Sequence, residues 1–242
     1  MKIIDAYWEK RNLGVSAIEI IIEPNDKINI INEITPLFSS VGYCVVKVPP
    51  TRVDFIAKIT NSGFLFIETQ INIEHDLKMI DLPDPFSRFN CELTYEQMDE
   101  QCFEILLDEL EQDIFDTDRI ALDKNFPQGT SAKRYANWIT DEFSRGTEIY
   151  NIVQGIHKIG FFSLQKKSEN MYSLPLGGLY KSYKASGLGF AIAQKPLEIA
   201  FARGARKVVT SNSSNNLGSL KCHLLCGFSI ASFLYVFVKH TN

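Results

Sequence analysis

Leu176-Gly177-Gly178-Leu179-Tyr180 leads, three residues on, into Lys184-Ala185-Ser186-Gly187-Leu188-Gly189, and the reading of this passage decides the fold. An apolar run enters a small-residue loop that opens a helix. Such a loop leaves backbone N–H groups unpaired at a helix N-terminus, where the dipole adds positive potential. Without bulky side chains, phosphate oxygens can approach that backbone closely. A pyrophosphate seat is the expectation. A G-x-G loop alone is a weak sign of phosphate binding, so the elements around it carry the weight.

Downstream, Val208-Val209-Thr210-Ser211 reads as a strand, Leu217 to Leu225 as a short helix and Phe233 to Val238 as a last strand. The loop itself opens a helix from Gly187 to Arg203, which Pro196 should kink or split. Upstream, Tyr172 to Tyr180 reads as one strand, preceded by a hairpin of Ile149–Val153 and His157–Leu164 around Gln154-Gly155-Ile156. Helices are expected at Ser131 to Ser144 and at Glu96 to Asp113. Residues 81–95, with Pro83 and Pro85, look like a joint. Ahead of that joint, strands at 17–23, 43–48 and 64–71 alternate with helical patterns, the second of these capped by Thr51 and closed by Asn61-Ser62-Gly63. The expected division is an N-terminal α/β domain over 1–90 and a second domain over 91–242. No internal repeat is evident.

The 242 residues are 45% hydrophobic and 22% charged, ample for a packed core. A formal net charge of −4 argues against nonspecific nucleic-acid binding, which needs a basic excess. Neither a signal-type apolar segment after Met1 nor a run of about 20 apolar residues occurs, so a membrane partner is not expected. Five cysteines without paired spacing fit reduced thiols, and the expected compartment is the cytoplasm.

Helix, helix, hairpin, strand, small-residue loop, helix, strand, short helix, strand: in this order the second half resembles the GNAT family of acyl-CoA-dependent N-acetyltransferases. That family's Gln/Arg-x-x-Gly-x-Gly/Ala loop is matched by Lys184-Ala185-Ser186-Gly187-Leu188-Gly189, with Lys184 in place of Gln or Arg. Lysine keeps the charge and loses the planar fork. A second family motif pairs an Asn, a Tyr and a Gly-Phe. Here Asn216, Ser219, His223 and Gly227-Phe228 keep its spacing, with histidine at the Tyr position. The resemblance implies a mixed, mostly antiparallel sheet flanked by helices, in the GNAT acyl-CoA N-acyltransferase fold, with the additional N-terminal α/β domain packed beside it. It implies acetyl-CoA as cosubstrate, without a metal, and a small-molecule amine as acceptor. Scattered residues (Trp8, Gly14, Gly63-Phe64, Glu68, Arg119, Tyr135-Ala136, Trp138, Arg145-Gly146) suggest members that acetylate a nucleotide-linked amino-deoxysugar. A polyamine, an antibiotic, a protein terminus or a catalytically silent CoA-binding module are the alternatives, and a homodimer is left open.

The resemblance also assigns roles. Amides of Ala185, Ser186, Gly187, Leu188 and Gly189, with Lys184, hold the pyrophosphate. Leu179 aligns the thioester through an unpaired N–H, and such a donor strengthens as charge builds on the carbonyl oxygen. Asn216 and Ser219 contact the pantetheine region. His223 faces the sulfur, where an imidazole of ordinary pKa near 6.5 can take or give a proton at neutral pH. Its alternative role is that of a helix histidine merely lining the channel. No carboxylate lies in Tyr172–Tyr180, so Glu68, Asp118, Asp123 and Glu148 are the candidate bases by pattern. Cys222 and Cys226 beside His223 lack the further Cys/His pair that a zinc site needs and read as helix packing. Lys166-Lys167 reads as a solvated hairpin end and Tyr183 as a loop anchor, while Phe161-Phe162 and Trp138 read as core.

Overall fold

A computed structural model describes residues 1–112 and 114–241. In chain order the elements are β1 (Lys2–Asp5), α1 (Glu9–Leu13), β2 (Ala17–Ile21), α2 (Ile30–Ile34), β3 (Tyr43–Val48), α3 (Val53–Asn61) and β4 (Leu65–Asp76). The chain continues through α4 (Phe86–Cys91), β5 (Leu93–Gln97), α5 (Glu100–Leu110), α6 (Arg119–Leu122), α7 (Thr130–Ser144), β6 (Glu148–Gln154) and β7 (His157–Ser168). It ends with β8 (Met171–Ser173), β9 (Gly177–Leu179), α8 (Ala191–Ala202), β10 (Lys207–Ser213), α9 (Leu217–Leu225) and β11 (Ser229–His240). The strands form one sheet in the order β1-β2-β3-β11-β4-β10-β8-β7-β6-β5, with β9 also on β7.

The centre of this sheet is interleaved. C-terminal β11 runs between β3 and β4, antiparallel to both, and β4 in turn separates β11 from β10. Residues from the two ends of the chain therefore share every rung of the middle. The alternation that buries Ile71, Ile73, Val236 and Val238 supplies the apolar material for it.

That centre relates two copies of one unit, contrary to the expectation of no repeat. Parallel β2 and β3 in the first half correspond to parallel β8 and β10 in the second. Helices α3 and α9 each have nine residues, and β4 and β11 each have twelve. A constant offset of 164 positions carries the α3 cap Arg52 onto the α9 cap Asn216, and Gly63 onto Gly227. Both glycines sit at φ near +85°, 83° and 86°, where a Cβ is disfavoured. The two last strands exchange places across the axis between them.

Several local expectations change. Tyr172–Tyr180 is two short strands, because Pro175 cannot donate to a ladder and interrupts it. Residues 93–97 form a strand on the sheet's edge, so helix α5 begins at Glu100 with Asp99 accepting from the Cys102 N–H at 2.8 Å. Asp113, the expected end of that helix, lies outside the described residues. The cap of α3 is Arg52, not Thr51. Helix α8 runs unbroken through Pro196, after a single 3₁₀ turn over Leu188–Phe190. The hairpin β6–β7 and helix α7 lie where expected. Helices α4, α8 and α9 cover one face of the second half around Phe190, Leu197 and Ile199, while α5 and α7 cover the other around Phe103, Leu106 and Ile139.

Candidate functional site

The site begins where a strand leaves the sheet. β8 pairs with β10 over only three residues, and the last bonds between them are Leu174 N–H to the Val209 carbonyl at 3.1 Å and Thr210 Oγ1 to the Leu174 carbonyl at 2.8 Å. Beyond Pro175, β9 stays on β7 and diverges from β10. Tyr180 N–H donates to the Ile159 carbonyl and Ser163 N–H to that of Leu176, so the N–H groups of Gly177 and Leu179 fall on the side turned away from β7. Both sit on the flank where a further strand would pair.

A cavity of about 320 Å³ occupies this wedge. One side carries Leu176, Gly177 and Ile192, the other Asn212, Asn216, Ser219 and His223. A Cβ at Gly177 would stand 2.7 Å from Ile192 Cγ2, so glycine is what lets the strand and α8 approach. Asn216 Oδ1 accepts from the Ser219 N–H at 3.0 Å, which caps α9. Ser219 Oγ donates to Asn212 Oδ1 at 2.6 Å, while Asn212 Nδ2 is buried without a partner. His223 Nδ1 lies 2.8 Å from the Ser219 carbonyl, a contact that requires a proton on Nδ1 and leaves Nε2 as the basic atom. Burial holds the imidazole pKa below its ordinary value, although the Ser219 carbonyl works in the other direction. His223 is therefore a neutral imidazole on the wall of the cavity.

The small-residue loop lies at the far end of β9, outside the cavity wall. Ala185 and Gly187 both take positive φ, 62° and 83°. Among the described residues their N–H groups have no hydrogen-bond partner, whereas Ser186 N–H is held by the Tyr183 carbonyl and Leu188 N–H by Ser186 Oγ at 3.3 Å. The free donors are fewer than an open row, since a 3₁₀ turn over Lys181–Tyr183 draws the loop's start inward. Lys184 Nζ is 3.6 Å from Asp116 and exposed. Gly189 packs on α9, where a Cβ would meet Cys222 Sγ at 3.0 Å.

On its other side the cavity meets the interleaved strands, where Glu68, Asp118, Arg119, Tyr135 and Trp138 are singled out by the sequence and Glu19, Lys47 and Arg134 are not. Lys47, Val236 and Glu68 stand on one rung across β3, β11 and β4, with Glu19 beside Lys47 on β2. Helices α6 and α7 add Arg119, Arg134, Tyr135 and Trp138. Lys47 Nζ is 2.7 Å from Glu19 Oε1, and Arg119 Nη2 is 3.7 Å from Glu19 Oε2. Burial would raise the Glu19 pKa, yet Lys47 and Arg119 outweigh it and keep the carboxylate ionised. Arg134 binds Glu9 at 2.7 Å and lies 3.9 Å from Asp118 Oδ2. Glu68 is 7% exposed, faces the cavity and keeps Oε2 without a partner.

Of the four candidate bases, Glu68 and Asp118 line the cavity. Asp123 is instead tied to His240 at 2.7 Å, and Glu148 to Arg203 at 2.7 Å. Phe161 and Phe162 are core, whereas Trp138 lines this cavity and a second one of about 280 Å³ beside Trp8 and Arg145. Cys226 is buried and Cys222 half-buried, as packing residues. Among the described residues no cluster of His, Cys, Asp or Glu is arranged to hold a metal, and no helix is long and apolar enough to cross a membrane.

No family model and no curated protein matches the chain. Solved structures do. A GCN5-related N-acetyltransferase from Kribbella flavida superposes with a TM-score of 0.59 at 10% identity, over 94% of this chain and 82% of that one. A tandem GNAT protein from the clavulanic acid biosynthesis pathway gives 0.58 at 13% identity, over 93% and 75%. A GCN5-related N-acetyltransferase from Sphaerobacter thermophilus gives 0.58 at 12% identity over 82% of this chain, which spans 59% of that protein. At these identities the likeness is one of fold: a GNAT-like α/β fold with a mixed sheet flanked by helices.

Proposed function

We propose that this chain is an acetyl-CoA-dependent N-acetyltransferase acting on a primary amine. The observation that carries the reading is the departure of β9 from β10 at Pro175, which frees the Gly177 and Leu179 amides beside a cavity walled by His223. A thioester laid along β9 would find a backbone donor for its carbonyl oxygen, the group on which charge develops during acyl transfer. The free N–H groups of Ala185 and Gly187, with Lys184 beside them, would receive the pyrophosphate ahead of α8, near Gly189, while Ser186 and Leu188 keep their N–H bonds within the loop. Asn216 and Ser219 would flank the pantetheine arm, with Asn212 Nδ2 as a further donor. His223 Nε2, unprotonated at neutral pH, would face the sulfur, where it would take the proton shed by the attacking nitrogen and pass it to the departing thiolate.

By resemblance to dTDP-fucosamine acetyltransferases, the acceptor would be the amino group of a nucleotide-linked amino-deoxysugar. A polyamine, an antibiotic or a protein terminus meets the same chemistry. Residues 1–90 would supply part of the acceptor side through β2, β3 and β4. Calorimetric titration with acetyl-CoA, followed by detection of released CoA thiol across a panel of amines, tests the reading. Saturable acetyl-CoA binding with amine-dependent thiol release is the expected result. Absence of acetyl-CoA binding would remove the proposal, and binding without turnover of any amine would leave only a silent module.

A further inference from the structure

We infer that the second cavity, between α1 and α7, is a binding site for one neutral saccharide ring, seated against the indoles of Trp8 and Trp138. The chain has two tryptophans, and both line this space of about 280 Å³ although they stand in opposite halves of the sequence. Trp8 is 37% exposed, unusual for a side chain that is on average highly buried. Trp138 is preset by stacking on Tyr135, with ring centroids 5.9 Å apart. An aromatic face carries weak negative potential, and the slightly positive C–H groups of a pyranose pack against it.

The polar lining selects against charge. Its three guanidiniums are matched by three carboxylates: Arg11 by Asp141, Arg134 by Glu9 at 2.7 Å, and Arg145 by Glu142 at 3.0 Å. Neither an anion nor a cation finds an unopposed partner there among the described residues. What the ion pairs leave open is hydrogen bonding. Arg11 spends Nη2 on Asp141 and on the Asn137 carbonyl, so its Nε and Nη1 remain as donors. Asp141 Oδ2 meets both Arg11 and, at 3.8 Å, Arg145, so Oδ1 remains as an acceptor. A sugar hydroxyl donates and accepts at the same oxygen, and neighbouring hydroxyls therefore suit a guanidinium beside a carboxylate.

The floor of the cavity is preformed. Asn137 Nδ2 donates to Asn12 Oδ1 at 2.8 Å, Asn12 Nδ2 to Glu9 Oε2 at 3.0 Å, and Arg134 Nε to Glu9 Oε1 at 2.7 Å. This network ties α1 to α7 and sets the separation of the two indoles before a ligand arrives, which lowers the cost of binding. The volume falls at the small end of ligand pockets, the scale of one ring rather than of a nucleotide. Phosphates would in addition meet Glu9 and Asp141 in the same lining. Trp138 and Arg134 also line the wedge beside β9, yet the saccharide site stands whether or not the chain transfers acetyl groups.

The test uses the full chain and reads tryptophan emission, because both fluorophores line the cavity. The neutral probes are methyl α-glucoside, methyl β-galactoside and N-acetylglucosamine; the contrasting ones are glucose 6-phosphate, thymidine and putrescine. At least one neutral sugar should change the emission saturably, with an affinity above that of the three contrasting probes. Trp8→Ala should weaken that sugar roughly 10-fold, read by saturation-transfer NMR since one fluorophore is gone, and Trp8→Phe should restore most of the loss. Asp141→Asn leaves the Arg11 guanidinium unmatched, so its preference should shift from the neutral sugar toward glucose 6-phosphate. Arg11→Ala, at a half-exposed position, should weaken the sugar without altering the circular dichroism. No response to any neutral sugar, tighter binding of a contrasting probe by wild type, an unchanged affinity in both Trp8→Ala and Arg11→Ala, or an unshifted preference in Asp141→Asn would each overturn the inference.

Discussion

At the residue scale, the geometry of His223 makes stability depend on pH. Burial lowers the folded-state pKa below the ordinary value of 6.5, so as pH falls the unfolded chain takes up the proton first. The contribution is whole above about pH 6.5 and declines as pH drops toward the folded pKa. His75 is depressed by burial as well and adds a slope of the same sign. His223→Gln should therefore flatten, without abolishing, the fall in urea-unfolding free energy between about pH 6.5 and 5. An unaltered slope would mean that the ring is not buried as described. A second residue fixes β9. At Gly160 a Cβ would stand 2.5 Å from the Gly178 carbonyl oxygen and 2.9 Å from Leu179 Cα, both backbone atoms with no rotamer to yield. Gly160→Ala is expected to cost about 1–3 kcal/mol in urea unfolding. It should also weaken acetyl-CoA binding by displacing the strand that presents the free amides. Stability and binding equal to wild type would show that β9 is not held against β7 as described.

At the element scale, the exchange of β4 and β11 makes each half incomplete by itself. The first half lacks the strand between β3 and β4, and the second lacks the strand between β10 and β11. Residues 1–90 or 91–242 produced singly should thus remain unfolded or aggregate through unpaired edges. Produced together they should yield a complex with the circular dichroism and amide dispersion of the intact chain. A folded monomer from either fragment would refute the exchange. These elements also show what the sequence makes legible. Helices α7 and α9, the β6–β7 hairpin and β10 announce themselves because periodicity and caps act locally. Pro175 carried the signal that splits Tyr172–Tyr180, since a proline cannot serve inside a ladder. Edge strand β5 buries only Leu93 and so lacks the alternation that marks a half-buried strand. The repeat left one clue, the shared Gly-Phe at Gly63-Phe64 and Gly227-Phe228, each closing a nine-residue helix. The rest of the unit shares shape without shared side chains. Glu68 reaches the cavity only because a first-half strand lies beside β10, a consequence of the exchange that no local pattern encodes.

At the scale of the whole molecule, two copies of one topology raise the question of whether there are two acyl-CoA sites. The first half lacks both parts of such a site. Its parallel strands β2 and β3 stay paired over five residues, and Ile22 N–H still donates to the Lys47 carbonyl at 2.9 Å, so no wedge opens. Its loop after β2 is filled by cations of the chain. Arg52 Nη1 donates to the carbonyls of Glu23, Pro24 and Asp26 at 3.3, 3.1 and 2.7 Å, and the amino group of Met1 lies 2.8 Å from both Glu23 and Asp26. A loop with its carbonyl oxygens gathered inward presents the opposite polarity to one that holds phosphate through N–H groups. The first half therefore takes part in the shared sheet and in the wall of the cavity, through Glu19, Lys47 and Glu68. Titration with acetyl-CoA should give one equivalent per chain. Arg52→Ala should lower the melting temperature by releasing the loop, leave the stoichiometry at one, and change the affinity little. A second equivalent in wild type would show that the first half retains a site.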